Sequence, residues 1–153
     1  MEVLFKRIHP NATIPKQATE FAAGWDVTAT EIEFSHVTDL VICKLGFAIK
    51  IPDGYRFVIV PRSSLTNTHW IIQNSPAVGD SDFTGEYQVR FKCIRKNKVD
   101  LNKGQIVYDN FPYNIGDRIA QIYLEAVIPI EFTEVYNLPE TKRGSGAYGS
   151  TGK

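Results

Sequence analysis

Cysteine is almost missing from this chain: Cys43 and Cys93 are the two among 153 residues, far apart and outside any C-x-x-C pair. That excludes a disulfide framework and, with no His cluster beside them, a zinc site of the usual spacing. Both stand in alternating or apolar stretches and read as reduced core residues. An excess of charge is missing too, since 17 Lys and Arg balance 17 Asp and Glu. Bulk charge therefore argues against a nucleic-acid partner, and any basic site must be local. Long apolar runs are absent. LVICKLGFAI is too short and too interrupted to cross a bilayer, and MEVLFKRIHP lacks the apolar core of a secretory signal. The expectation is a cytoplasmic protein with no membrane and no nucleic-acid partner. Internal repeats are missing as well, so the chain reads as one domain, burying roughly two-thirds of its extended surface.

What is present is period two. Short alternating or apolar runs recur at residues 3–7, 24–28, 40–48, 56–60, 68–73, 87–94, 106–111, 118–126 and 130–135. Turn signals separate them: PDG at 52–54, NKG at 102–104 and NIGD at 114–117. Many short strands at this spacing predict an all-β barrel or jelly roll. A short turn near 61–67 is the one helical candidate, with Ser63 and Ser64 as its capping residues. The charged segment RKNKVDLNK (95–103) reads as a solvated hairpin tip.

The chain finishes on RGSGAYGSTGK. Its glycines expose backbone N–H groups, and Arg143, Ser145, Ser150, Thr151 and Lys153 add donors and positive charge, which suits a phosphate. It is not a Walker loop: Gly144 and Gly149 have the right separation, but Ser150 follows where Lys is required. A phosphate grip of this kind is a flexible flap that needs something to close upon.

Five polar clusters then fall in order along the chain: AAGWDVTA (22–29), PRSSL (61–65), GDSDFTGE (79–86), GDRIAQIYL (116–124) and RGSGAYGSTG (143–152). One of them would be weak; five in order over most of the chain resemble the trimeric dUTPase family. The resemblance implies a jelly-roll-like β barrel over residues 1–138 and a C-terminal arm, 139–153, that closes over a neighbouring subunit's active site. It also implies a homotrimer and Mg²⁺-dependent hydrolysis of dUTP to dUMP and pyrophosphate, which limits uracil in DNA and supplies dUMP for thymidylate synthesis.

Residue by residue, Asp80 matches the general base that deprotonates the water attacking the α-phosphorus, a task a carboxylate can do within hydrogen-bond reach. Read alone, Asp80 and Asp82 would be turn residues beside glycine. Phe83 stands where the family carries a Tyr that packs under the deoxyribose, and Asn74 lies in the hairpin that reads the uracil edge. That hairpin differs from the family at Pro76, Ala77 and Gly79, the last commonly Ile. Arg62, Ser63, Ser64 and Gln121 match the triphosphate-binding residues. Asp117 and Arg118 read as a turn and an internal ion pair, and Asp26 as a scaffold for neighbouring arginines. In the arm, Arg143 matches the terminal-phosphate arginine, Tyr148 the ring that stacks on uracil, and Ser150 and Thr151 the γ-phosphate donors. No protein cage for a metal is visible, which agrees with Mg²⁺ held by phosphate oxygens and water.

Two alternatives stand beside this reading. A dCTP deaminase relative shares the RSS-L run but needs a Glu five residues past Gly85, where this chain has Arg90. The other is a nucleotide-switched trimer whose main task is protein binding, with segment 95–113 as the candidate surface.

Overall fold

The computed structural model describes residues 1–95, 99–100, 105–106 and 110–147, the two short pairs through their backbone. Among these described residues thirteen strands and one 3₁₀ turn follow in order. They are β1 (Leu4–Arg7), β2 (Lys16–Gln17), β3 (Trp25–Thr28), β4 (Glu31–Ser35), β5 (Leu40–Lys44), β6 (Phe47–Lys50), β7 (Tyr55–Pro61), β8 (Trp70–Ile72), β9 (Ala77–Gly79), β10 (Gln88–Cys93), β11 (Val99–Asp100), β12 (Gln105–Ile106) and β13 (Arg118–Ala126). The 3₁₀ turn spans Ser63–Asn67. A five-stranded sheet runs β2-β3-β13-β7-β9 and a four-stranded sheet β4-β5-β10-β8, with β1 on β6 and β11 on β12. Every recorded pairing is antiparallel, as period-two alternation with short turns requires.

Strand β10 shows how the alternation becomes a core. Val89, Phe91 and Cys93 point inward while Gln88 and Arg90 face out. Phe91 lies opposite Val41 on one side and Ile72 on the other, and its ring packs edge-on to Phe111 at 5.2 Å. Phe47, Leu45, Ile51, Ile119, Val27 and Cys43 complete the set of large, fully buried side chains. Phe111 meets Trp70 at 5.1 Å and Tyr113 meets Phe91 at 5.7 Å. Phe111 and Tyr113, at the aromatic end of the 95–113 segment, thus pack against the core while staying partly exposed. Residues 96–98, 101–104 and 107–109 of that segment lie outside the described residues.

Three expectations change. The run 40–48 is not one strand: it breaks at Gly46, whose φ is +71°, and a Cβ there would meet the side chains of Thr30 and His9 at 2.7 and 2.8 Å. Only glycine fits this corner, which hands the chain from the four-stranded sheet to β1. The run 130–135 forms no strand: among the described residues no strand pairs with it. Instead Val127, Ile128, Ile130, Phe132, Val135, Tyr136 and Leu138 are all exposed along an extended tail. Ser63 and Ser64 do not cap the 3₁₀ turn; Arg62 is the capping position and makes no side-chain cap. The turn is held by Leu65, which is buried, and by Thr66 and Thr68, whose hydroxyls donate to the Ser63 and Leu65 carbonyls at 2.6 and 2.8 Å.

Both cysteines are free and buried, and burial pushes the Cys43 thiol from about 9 up to about 12. Between those values the native state keeps a proton that the unfolded chain has released. Stability should therefore fall as pH rises through this window, by at most about 1.4 kcal/mol per pH unit. Urea unfolding at pH 8, 9.5 and 11 checks this, since a Cys43→Ala variant should lose that part of the slope.

Candidate active site

Strand β13 lies between β3 and β7, and this position builds the first polar cluster. Gln121 stands opposite Asp26 on β3, while Ala120 stands opposite Pro61 at the end of β7. Between Arg118 and Ala120 the pairing advances two residues on β13 for one on β3. Such a bulge reverses which face the side chains take, and it leaves the consecutive Ile119 and Ala120 both fully buried. Arg118 and Gln121 consequently both reach Asp26, which alternation alone would forbid.

Asp26 is the hub, with its side chain 5 % exposed. Arg62 Nε donates to its Oδ1 at 3.0 Å and Arg118 Nη1 to its Oδ2 at 3.0 Å. Gln121 Nε2 donates to Oδ1 at 3.3 Å, and Arg62 Nη1 donates to the Arg118 carbonyl at 3.2 Å. Two guanidinium groups around one carboxylate leave a net positive charge, so a basic site exists within a chain of zero net charge. A cleft of about 390 Å³ opens beside it, lined by Lys16, Thr28, Asp26 and Arg118 among others. Lys16 stands opposite Asp26 on β2 and escaped the sequence reading, because a two-residue strand carries no periodic signal. Asp117 closes the preceding turn, its Oδ2 accepting from the Asn114 backbone N–H at 2.7 Å. Ser63 and Ser64 are exposed at the start of the 3₁₀ turn that follows Arg62.

The second cluster lies at the other end of β7. Strand β9 pairs with β7 so that Gly79 faces Phe57, and Asp80, exposed, follows directly. Phe83 N–H donates to the Asp80 carbonyl at 3.2 Å, closing a turn that folds the Phe83 ring over Gly85. A Cβ on Gly85 would stand 2.7 Å from that ring, so a side chain there would have to displace it. The ring is 45 % exposed and packs edge-on against Tyr87 at 5.1 Å. Lys50 fixes the turn from below, donating to the Ser81 carbonyl at 3.0 Å and pairing with Asp53 at 2.8 Å. Asn74 is exposed on the loop before β9.

The two clusters do not meet within one chain. Gly79 sits opposite Phe57 and Arg62 lies five residues further along, a span of about 17 Å at strand rise. Arg143 also stays apart from both: it donates through Nε to the Gly146 carbonyl at 2.9 Å, in a local turn of the exposed tail. Tyr148, Ser150 and Thr151 lie outside the described residues.

The dUTPase family model matches residues 10–152, nearly the whole chain. The chain is a member of the dUTPase family. Family relatives include the deoxyuridine 5'-triphosphate nucleotidohydrolase of Helicobacter pylori strain Shi470, 36 % identical over 99 % of this chain and 97 % of the relative. The enzyme of the same name from Wolinella succinogenes is 35 % identical, over 100 % of this chain and 95 % of its own length. Among solved structures, the dUTPase of Staphylococcus bacteriophage 80alpha with dUPNHPP superposes with a TM-score of 0.76 at 20 % identity, covering 99 % of both chains. That of phage phi11 of S. aureus gives 0.69 at 21 %, covering 92 % of this chain and 100 % of its own. These likenesses agree with the all-β architecture of a dUTPase fold. Among the described residues, no helix is long and apolar enough to cross a membrane.

Proposed function

We propose that this dUTPase hydrolyses dUTP to dUMP and pyrophosphate at sites assembled from more than one copy of the chain, as a cytoplasmic homotrimer, with Asp80 as general base. The separation of the two clusters along β7 carries this reading. A carboxylate takes a proton over hydrogen-bond distance, directly or through one water. Asp80 and the guanidinium cluster of the same chain stand too far apart for that, so Asp80 of one copy serves Arg62, Ser63, Ser64 and Gln121 of another. The exposed apolar residues of the 127–138 tail support association, because an unpaired run of this kind is normally covered by a partner.

The roles follow from the chemistry of each group. Asp26 holds Arg62 and Arg118 in place, so that donors left on their guanidinium groups meet phosphate oxygens already oriented. Water deprotonated by Asp80 attacks the α-phosphorus, the bond to the bridging oxygen breaks, and pyrophosphate leaves. Phe83 packs under the deoxyribose and crowds out a 2′-hydroxyl, while the Asn74 loop reads the uracil edge. The arm, 139–153, closes over the nucleotide, with Arg143, Ser150 and Thr151 on the phosphates and Tyr148 stacked on the base. Both carboxylate oxygens of Asp26 accept from guanidinium donors, a donor set that fits Mg²⁺ carried on triphosphate oxygens and water. When bound, the ion neutralises phosphate charge and fixes the triphosphate's shape.

Pyrophosphate release with Mg²⁺, compared for dUTP, dTTP, dCTP and UTP at equal concentration, tests this function. Turnover confined to dUTP is expected; comparable turnover of all four would overturn the uracil and deoxyribose assignments. Removing residues 143–153 should depress dUTP turnover about 100-fold or more, because an open site admits water, while the assembly and its melting temperature stay unchanged. Full activity of the truncated chain would refute the closing arm.

A further inference from the structure

Tyr87 takes part in none of the steps above, yet it is buried behind Gly79, the residue that precedes Asp80. It is 7 % exposed, and its hydroxyl is buried without a hydrogen-bond partner among the described residues. Its ring is held by Phe47 at 6.2 Å, Phe57 at 6.4 Å and Phe83 at 5.1 Å. Its backbone is fixed at both ends, its N–H donating to the Phe47 carbonyl and its carbonyl accepting from Leu45 N–H, each at 3.0 Å. The ring ends on Gly79. A Cβ built there would stand 2.6 Å from Tyr87 Oη, 2.9 Å from Cε1 and 3.2 Å from Cζ. Burial, and secondly the charge of Asp80, push the phenol's pKa up.

We propose that Tyr87 is a positioning residue of the active site, its ring occupying the space that a side chain at position 79 would take and thereby setting both the Gly79–Asp80 backbone and the plane of Phe83. Phe83 rests edge-on upon Tyr87 on one side and over Gly85 on the other, so its ring has little freedom once Tyr87 is in place. Gly79 and Tyr87 thus form one unit: the absent side chain of the first makes room for the ring of the second. The Phe83 ring is in this way tuned by a residue that does not itself touch substrate. This rests on the roles given above to Asp80 and Phe83.

The test is a set of variants at 79 and 87, read by kcat and KM for dUTP and UTP and by melting temperature. Gly79→Ala puts a Cβ into the ring and should lower kcat/KM for dUTP about 10- to 100-fold, with a reduced preference for dUTP over UTP. Tyr87→Leu removes the support of Phe83 and should erode the dUTP preference, mainly through a lower KM for UTP. Gly79→Ile combined with Tyr87→Leu refills the space from the other side and should recover preference and melting temperature beyond either Gly79→Ile or Tyr87→Leu alone. A Tyr87→Leu enzyme with the parent's dUTP preference, or a double variant no better than its singles, would overturn the proposal. Should the Gly79 single variants fail to fold, Tyr87→Leu and the double variant decide alone. Absence of dUTP turnover in the parent protein would instead refute the roles of Asp80 and Phe83. The steric coupling would still be read from the non-additive melting temperatures.

Discussion

Asp80→Asn is expected to lower dUTP turnover by about 10²- to 10⁴-fold while leaving nucleotide affinity close to that of the parent. Asn has the shape of Asp but cannot accept the water's proton, so the change removes the base and little else. Asp80 is exposed just past the end of β9. Substitutions at such positions usually shift stability by no more than about 0.5 kcal/mol, and the melting temperature should hold. Steady-state pyrophosphate release gives the turnover, and calorimetric titration with a non-hydrolysable dUTP analogue gives the affinity. Parent-like turnover would remove Asp80 from the mechanism. Lost affinity together with lost turnover would make it a binding residue instead.

Two inactive variants should restore each other. Arg62→Gln removes the guanidinium fork while keeping a side-chain amide that can donate to Asp26, so the buried carboxylate is not stripped of its partners. Each homogeneous assembly, Asp80→Asn or Arg62→Gln, is expected to be nearly inactive. Unfolded together in equal amounts and refolded, they form mixed trimers. If every site takes Asp80 from one copy and Arg62 from another, about one site in four receives both intact residues by chance. Recovery to roughly a quarter of parent activity, from a starting point near zero, is the expected result. A mixture as inactive as its components would show that one chain supplies both groups, and the span along β7 would then have to close by rearrangement.

Much of the chain was legible before any fold was known. The expectation of a strand over 118–126 matches β13 residue for residue, and those at 24–28, 56–60 and 87–94 locate β3, β7 and β10 to within one residue at each end. Alternation marks such segments because one face of each is buried. It failed in two different ways. The run 40–48 is apolar on both sides of Gly46, and nothing in composition says that the chain turns there; the clash with Thr30 and His9 does. The run 130–135 alternates well, yet forms no strand alone, because a strand is a pairing and not a property of one segment.

The candidate site divides the same way. Asp26, Arg62, Ser63, Ser64, Asn74, Asp80, Phe83 and Gln121 were expected as site residues because the five ordered motifs resemble those of the dUTPase family; read alone, Asp80 would be a turn residue. The sequence by itself also determined an all-β chain, through its period-two strands and turn residues, for local alternation reports burial directly. Only the tertiary structure decided that the bulge in β13 turns Arg118 and Gln121 toward one carboxylate, that Lys16 stands across from it, and that Tyr87 fills the room left by Gly79. It alone put Asp80 and Arg62 at opposite ends of β7. Those are matters of register between strands distant in sequence. A shift of one residue would reverse every face, and no local pattern records which register the ladder adopts.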